Sequence, residues 1–137
     1  MDILTYLNKG FDIVIGSIEV KGSQIIEKAG WHRRILGKLS KYLIRIITIW
    51  EIHDSQRGFK CFTAQAAEKI FVRQTVNGYG FDIETLVLAK KLGFKIKELP
   101  VIWNNPEGSK ASFFSFIQTL IELIRIRYNL ITVDFSY

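Results

Sequence analysis

Four cationic side chains recur at helical spacing within residues 31–50, and they are the groups best suited to bind an anion. They are Arg34, Lys38, Lys41 and Arg45. Steps of four, three and four residues place them on one face of a helix whose other faces are rich in Leu and Ile. Two interpretations stay open: a core helix with a solvated basic edge, or an interfacial helix lying on anionic lipid with tryptophans near its ends.

Acidic and metal-binding candidates are fewer. Asp82 and Glu84 fall in the first turn of a helix predicted over residues 81–92, where acids stabilise the helix dipole whether or not they serve a site. Cys61 is the single cysteine and the two histidines are isolated from each other. Neither an internal disulfide nor a structural zinc site is therefore expected.

Size and charge narrow the class of protein. A chain of 137 residues with 48% hydrophobic residues suits one small domain. The net charge of +6 favours an anionic partner such as nucleic acid, a phosphate ligand or a membrane surface. Nucleic acid is the least favoured, because the cations follow one amphipathic helix without a recognised binding motif.

No stretch of about 18 residues is free of charge, so no transmembrane helix is expected. A signal peptide is not expected either.

Local signals predict the elements that position these residues. In chain order they are a helix over 3–8 capped by Asp2, a buried parallel strand over 11–16, a loop over 19–30, a strand over 59–62, a helix from the cap Thr63 to Ile70, a helix over 81–92 ended by Gly93, and a bent strand or strand pair over 94–103. This mixture of helices and strands predicts an α/β fold.

A second amphipathic helix is predicted over residues 113–128. Its polar positions share one face: Ser115, Gln118, Thr119, Glu122 and Arg125. The opposite face consists of Phe, Ile and Leu side chains. Two such helices in a small chain favour contact with a membrane surface over a core location, although packing on each other would hide the same apolar area.

Residues 54–60 carry the most specific motif of the chain. They read DSQRGFK and resemble the D-[ST]-Q-x-G-F-K signature of family 2 glycosyltransferases that act on polyprenyl phosphates. Other strings follow in the order of that family: FDIVIGS at 11–17, GFDIE at 80–84, LPVIW at 99–103 and GSK at 108–110. Together they cover nearly the whole chain. Within the family they look most like the dolichyl-phosphate β-glucosyltransferase branch, and dolichol-phosphate mannose synthase is another similar member.

The resemblance implies a fold and an activity. Residues 1–137 would be the C-terminal part of a GT-A glycosyltransferase domain, a Rossmann-like α/β fold, with membrane-interface helices at 31–50 and 113–128. The implied reaction is inverting transfer of glucose or mannose from a UDP- or GDP-sugar to a polyprenyl or dolichyl phosphate. Mg²⁺ or Mn²⁺ is the implied cofactor of the full enzyme. The implied location is peripheral, on the cytoplasmic face of a membrane.

The resemblance also assigns site residues. A phosphate monoester is largely dianionic near neutral pH, since its second pKa is about 6. Such an acceptor needs cations more than it needs a strong base. Asp54 is expected at the catalytic site, with Gln56 in support. The residues expected to bind phosphate are Arg33, Arg34, Ser109 and Lys110, and a further candidate acidic site consists of Asp82 and Glu84.

Two departures from the family pattern shape the expected function. The family places a nucleotide-binding strand and an acidic metal motif ahead of the FDIVIGS string, and only ten residues precede it here. We therefore expect the donor-binding half and the metal ligands to be missing, so that the chain alone is inactive or a partner chain supplies that half.

The second departure concerns phosphate binding. Ile18 and Glu19 follow Gly16-Ser17, where the family commonly has Arg. Replacing a cation by an apolar residue and an acid should weaken anion binding by about 1.5–3 kcal/mol, the free energy of one charged hydrogen bond. The alternative function is therefore a catalytically silent module that binds a membrane surface and the lipid phosphate.

Overall fold

The computed structural model describes residues 2–25, 30–55, 59–104 and 113–132. Helices and strands are interspersed along the chain. They are α1 (Ile3–Asn8), β1 (Ile13–Ser17), β2 (Gln24–Ile25), α2 (Trp31–Ile47), β3 (Lys60–Phe62), α3 (Ala64–Phe71), α4 (Phe81–Lys91), β4 (Ile96–Pro100), β5 (Ile102–Trp103) and α5 (Phe113–Thr132).

β1 is the central strand of a three-stranded sheet with the order β3-β1-β4, and all five of its residues are buried. It pairs in parallel with β4, from Ile13 opposite Ile96 to Ser17 opposite Pro100, and antiparallel with β3. β2 and β5 form a separate parallel pair. The predicted buried parallel strand and the α/β class are therefore confirmed. The mixed sheet is consistent with part of a glycosyltransferase domain.

Short-range hydrogen bonds begin two helices where the sequence predicts them. Asp2 accepts a hydrogen bond from the Thr5 amide at 3.3 Å ahead of α1, and bonds from the Thr5 hydroxyl and amide lower the pKa of Asp2. Thr63 accepts from the Ala66 amide, also at 3.3 Å, ahead of α3. Gly93 follows α4 with a φ of 81°, a left-handed conformation in which glycine avoids the steric cost of a side chain.

Two strands depend on pairing that local signals do not report. The predicted loop over residues 19–30 is wrong at β2, because Gln24 and Ile25 pair with Ile102 and Trp103 much later in the chain. The predicted bent strand or strand pair over 94–103 divides at Val101 into β4 and β5. These two strands belong to different sheets, so the bend carries the chain from one sheet to the other.

The core forms around α4, in which every residue from Ile83 to Ala89 is buried. Buried side chains of β1, α3 and α5 belong to the same hydrophobic cluster as those of α4. The most deeply buried large side chains of this core are Ile13, Ile15, Ile70, Ile83, Leu86, Leu123 and Ile126. A helix buried on all sides has no polar stripe, which explains why α4 lacks the amphipathic pattern of α2 and α5.

α2 and α5 contact each other but keep much of their apolar surface exposed. α2 is described throughout, and Ile44 is its only buried residue. It ends at Ile47, short of the predicted end at 50, where the Thr48 hydroxyl donates to the Ile44 carbonyl. α5 extends to Thr132, beyond the predicted end at 128. None of the helices in the described ranges is both long enough and apolar enough to cross a bilayer.

Candidate functional site

Asp54 lies beyond the carboxyl end of β1 and is 1% exposed. Its Oδ2 accepts a hydrogen bond at 3.2 Å from the backbone amide of Ile18, the first residue after β1. β1 runs parallel to β4, and open α/β sheets bind ligands outside the carboxyl ends of such strands. Asp54, the acid predicted for catalysis, is therefore held at the end of the sheet where open α/β folds bind their ligands.

A carboxylate from β4 holds the backbone beside Asp54. Glu98 Oε1 accepts hydrogen bonds from the amides of His53, at 3.1 Å, and Asp54, at 3.0 Å. Glu98 Oε2 lies 2.9 Å from Nδ1 of His53. Glu98 is not among the residues predicted for the site. Its position next to the LPVIW motif is the one signal in the sequence that could have identified it.

The turn after β1 connects the Asp54 site to the basic helix. Ser17 is fully buried, and its Oγ accepts from the amide of Glu19 at 3.2 Å. The Glu19 carboxylate forms an ion pair with Lys41 of α2. α2 therefore lies beside the end of β1, and one member of its cationic stripe has an acidic partner there.

The two arginines predicted to bind phosphate lie in the first turn of α2. Arg33 and Arg34 are both exposed, as is Lys38 one turn later. Exposure leaves their charged groups accessible to a phosphate that approaches from solvent or from a lipid surface. It also screens them, so each contributes less than a buried cation would.

Asp82 is paired with a lysine from the edge of the sheet. Its Oδ1 lies 2.9 Å from Lys60 Nζ, and the side chains are 32% and 5% exposed respectively. Lys60 belongs to the DSQRGFK string, so the ion pair joins two of the motifs that carry the resemblance. The Asp82 carboxylate is still partly accessible from solvent.

Glu84 is buried and engaged by the loop ahead of α4. Its oxygens accept from the Thr75 amide at 2.9 Å, the Thr75 hydroxyl at 2.7 Å and the Val76 amide at 2.8 Å. These bonds satisfy the charge of a carboxylate that is only 3% exposed. These hydrogen bonds to the loop explain why the Glu84 carboxylate can be buried. A role for Glu84 in a functional site stays a prediction.

Three predicted site residues, Gln56, Ser109 and Lys110, lie outside the described residues. Within the ranges that are described, no three His, Cys, Asp or Glu side chains are grouped so that they could hold a metal ion. The described side chains thus offer an acidic centre at Asp54 with exposed cations on the adjoining helix, and no metal site is built from them.

α5 turns a mixed face toward the protein. Thr119, Leu123 and Ile126 are buried, and the Glu122 carboxylate accepts from the Gly80 amide at the start of α4. Large side chains on the other face are exposed: Phe113, Phe114, Ile121, Ile124, Tyr128 and Ile131. The helix therefore has an exposed apolar face besides the apolar side chains that it packs into the core.

Comparison with known proteins finds similar sequences over nearly the whole chain. No protein-family model matches. A dolichyl-phosphate β-glucosyltransferase of Trichomonas vaginalis is 37% identical over 125 residues, 88% of this chain and 38% of the relative. The enzymes of that name from Dictyostelium discoideum and Homo sapiens are 34% and 32% identical, over 93% and 88% of this chain. The chain spans about two fifths of the length of these curated relatives.

Proposed function

We propose that this chain takes part in the transfer of glucose to dolichyl phosphate. It is a homologue of one part of the dolichyl-phosphate β-glucosyltransferases, as its motifs predicted. The observation that carries the proposal is the position of Asp54. The acid of the DSQRGFK string is buried at the carboxyl end of the parallel strands, where an α/β fold binds its substrates.

The proposed reaction is a displacement at the anomeric carbon of a nucleotide sugar. An oxygen of the dolichyl phosphate forms the new bond to that carbon, and the bond to the nucleoside diphosphate breaks with inversion. Because the acceptor is already an anion near neutral pH, Asp54 need not act as a strong base and instead orients the reacting groups. UDP-glucose is the donor we expect, by analogy with the family.

Cations on α2 would hold the acceptor phosphate. Arg33 and Arg34 lie in its first turn, and α2 is tied to the end of β1 by the Lys41–Glu19 ion pair. Guanidinium groups suit phosphate oxygens because they donate two parallel hydrogen bonds. Lys110 and Ser109 of the GSK string are further proposed contacts. Mg²⁺ or Mn²⁺ is the expected cofactor, but the described residues form no group to hold it, so no step is assigned to a metal.

The exposed faces of α2 and α5 support contact with a membrane surface. Trp31, Ile35, Tyr42 and Ile46 of α2 are each more than half exposed, and the cations of the same helix flank them. α5 adds the outward apolar face described above. Apolar area beside Lys and Arg is the pattern of a protein lying on anionic lipid. We propose that the chain binds the cytoplasmic face of a membrane peripherally, where its lipid acceptor would be at hand.

The test is an assay of glucosyl transfer. The tagged chain is isolated from membranes of its source cells together with the proteins and lipids that bind it. The isolate is incubated with radiolabelled UDP-glucose and dolichyl phosphate. We expect label in a lipid that releases glucose in mild acid. The dolichyl-phosphate β-glucosyltransferase of Saccharomyces cerevisiae, isolated in the same way, is the positive control.

The same assay separates the two candidate functions. If the isolate binds the added dolichyl phosphate but forms no labelled lipid, the result contradicts the transferase proposal and favours the lipid-phosphate-binding module. Absence of both binding and transfer would contradict both.

A further inference from the structure

Glu98 connects the site to the central sheet. It lies on β4 opposite Ile15 of β1, so its backbone position is set by the parallel strand pair. Its side chain is 12% exposed and accepts from the amides of His53 and Asp54 through one oxygen. The second oxygen faces the His53 ring. One carboxylate thus contacts the Asp54 segment at three nitrogen atoms.

We propose that Glu98 is a positioning residue that sets the orientation of Asp54, an inference that rests on the proposed function. Asp54 is held from two neighbouring strands. Glu98 of β4 holds its backbone, and the Ile18 amide after β1 holds its carboxylate at 3.2 Å. Fixing both ends of a short side chain restricts its rotamer, so the carboxylate is kept in one geometry.

The Glu98 carboxylate supplies the acceptor for both backbone amides. Its Oε1 accepts from the amides of His53 and Asp54, and its Oε2 lies against the His53 ring. In Glu98→Leu both oxygens are replaced by carbon, which cannot accept a hydrogen bond. That variant keeps about the size of the side chain and loses both acceptors, so the Asp54 segment should shift.

The expected kinetic effect follows from the sensitivity of catalysis to placement. A displacement of about 1 Å at a reacting group can cost about a hundredfold in rate. We expect Glu98→Leu to lower kcat for glucosyl transfer by about ten- to a hundredfold. The KM for the nucleotide sugar should change by less than about threefold, because the Glu98 carboxylate is engaged by the Asp54 segment.

The experiment compares Glu98→Leu with Glu98→Asp and with the matched control Lys97→Gln. Glu98→Asp keeps the charge but is too short to reach the same amides, and it guards against misfolding of the first variant. Lys97 is the preceding residue of β4, and its ammonium group lies over the rings of Tyr6 and Phe11. Its replacement changes one charge on the same strand without touching the Asp54 segment.

A second readout does not need enzymatic activity. Hydrogen exchange is measured at the amides of Asp54 and Ile18 in the same isolated proteins. Loss of the Glu98 contact should speed exchange at both amides by about tenfold or more, since Ile18 depends on Asp54 for its acceptor. A residue that only stabilised β4 would leave the Ile18 amide unchanged relative to other amides of β1.

The outcomes separate the two proposals. Slower turnover with faster exchange at Ile18, absent from Lys97→Gln, supports the positioning role. Unchanged exchange at Ile18 in both Glu98 variants overturns it, as does a kcat within twofold of the unmodified protein. If the unmodified protein transfers no glucose, the proposed function fails, and the exchange measurement still decides whether Glu98 orients Asp54.

Discussion

Single residues of the motifs have distinct physical reasons for their identity. Gly16, in the FDIVIGS string, lies where β1 passes close to its neighbours. A Cβ added there would lie 2.7 Å from Val101 Cγ1 and 3.0 Å from Phe59 Cδ1, so a side chain does not fit without movement. This glycine therefore permits close packing next to the Asp54 site, and it is needed for space rather than for backbone freedom.

Gly16→Ala should lower the free energy of unfolding by about 1–3 kcal/mol, the usual cost of overpacking a tight site. Gly37→Ala is the matched control, because Gly37 lies inside α2 with nothing within 4 Å of the added Cβ. The control should be neutral or stabilise by about 0.5–1 kcal/mol, since alanine is the better helix former. The urea midpoint of each purified protein measures both effects. Equal midpoints for the two variants would refute the packing argument.

Asp54 is the residue on which the proposed activity depends most directly. Asp54→Asn keeps the shape but removes the charge that faces the Ile18 amide. We expect the rate of glucosyl transfer to fall by at least about a hundredfold, as when an electrostatic contact in an active site is removed. Binding to liposomes should not change, because the α2 and α5 surface is intact. Turnover within threefold of the unmodified protein would exclude Asp54 from the site.

At the scale of elements, α5 is attached through a polar contact as well as through the buried Leu123 and Ile126. The Glu122 carboxylate accepts from the Gly80 amide at the start of α4, where a negative charge also suits the helix dipole. A Cβ at Gly78 or Gly80 would come within 3 Å of Glu122, so the two glycines leave room for this carboxylate. The contact explains why a carboxylate on α5 faces the protein.

Glu122→Ala should detach this contact and destabilise the protein by about 1–2 kcal/mol, the range for losing a helix cap with its charge. Arg125→Ala is the control, because Arg125 is on the same predicted polar stripe but exposed. Urea unfolding measures stability, and limited proteolysis reports whether α5 is released first. If the two variants unfold and are cleaved alike, the Glu122 contact does not anchor α5.

At the scale of the whole molecule, α2 and α5 present an apolar surface next to exposed cations. Leu39 and Ile46 of α2 and Ile121 and Ile124 of α5 are all about half exposed or more. At the end of α2, Arg45 lies 4.5 Å from the ring of Trp50 and donates to its carbonyl. We propose that anionic lipid covers these side chains, because apolar groups beside Lys and Arg match its surface.

Reversing two of these cations, Arg34→Glu with Lys38→Glu, should weaken binding to anionic liposomes by about a hundredfold. Each Lys or Arg near such a surface contributes about 1 kcal/mol, and the introduced acids are repelled. Lys69→Glu with Lys95→Glu makes the same change of charge at exposed sites on other elements. Co-sedimentation with vesicles measures both. Equal loss in the two double variants would mean that net charge, rather than this surface, governs binding.

The sequence alone determined the features that depend on neighbours in the chain. Three helix boundaries were predicted correctly, at the caps Asp2 and Thr63 and at the stop Gly93. The two caps rest on short-range hydrogen bonds, and the stop rests on the backbone preference of glycine. The apolar run of β1 identified the buried strand for the same reason. The ordered motifs identified the similarity to the dolichyl-phosphate β-glucosyltransferases, because a motif is a local pattern of residue types.

Only the tertiary structure decided the contacts between distant residues. Glu98 and Asp54 are far apart in sequence, and so are Lys60 and Asp82, and their meeting depends on how the chain crosses the sheet. The pairing of β2 with β5 and the inward position of Glu122 on α5 have the same origin. Helical periodicity showed that α5 has two faces, but it could not say which face turns inward, because that depends on what lies opposite.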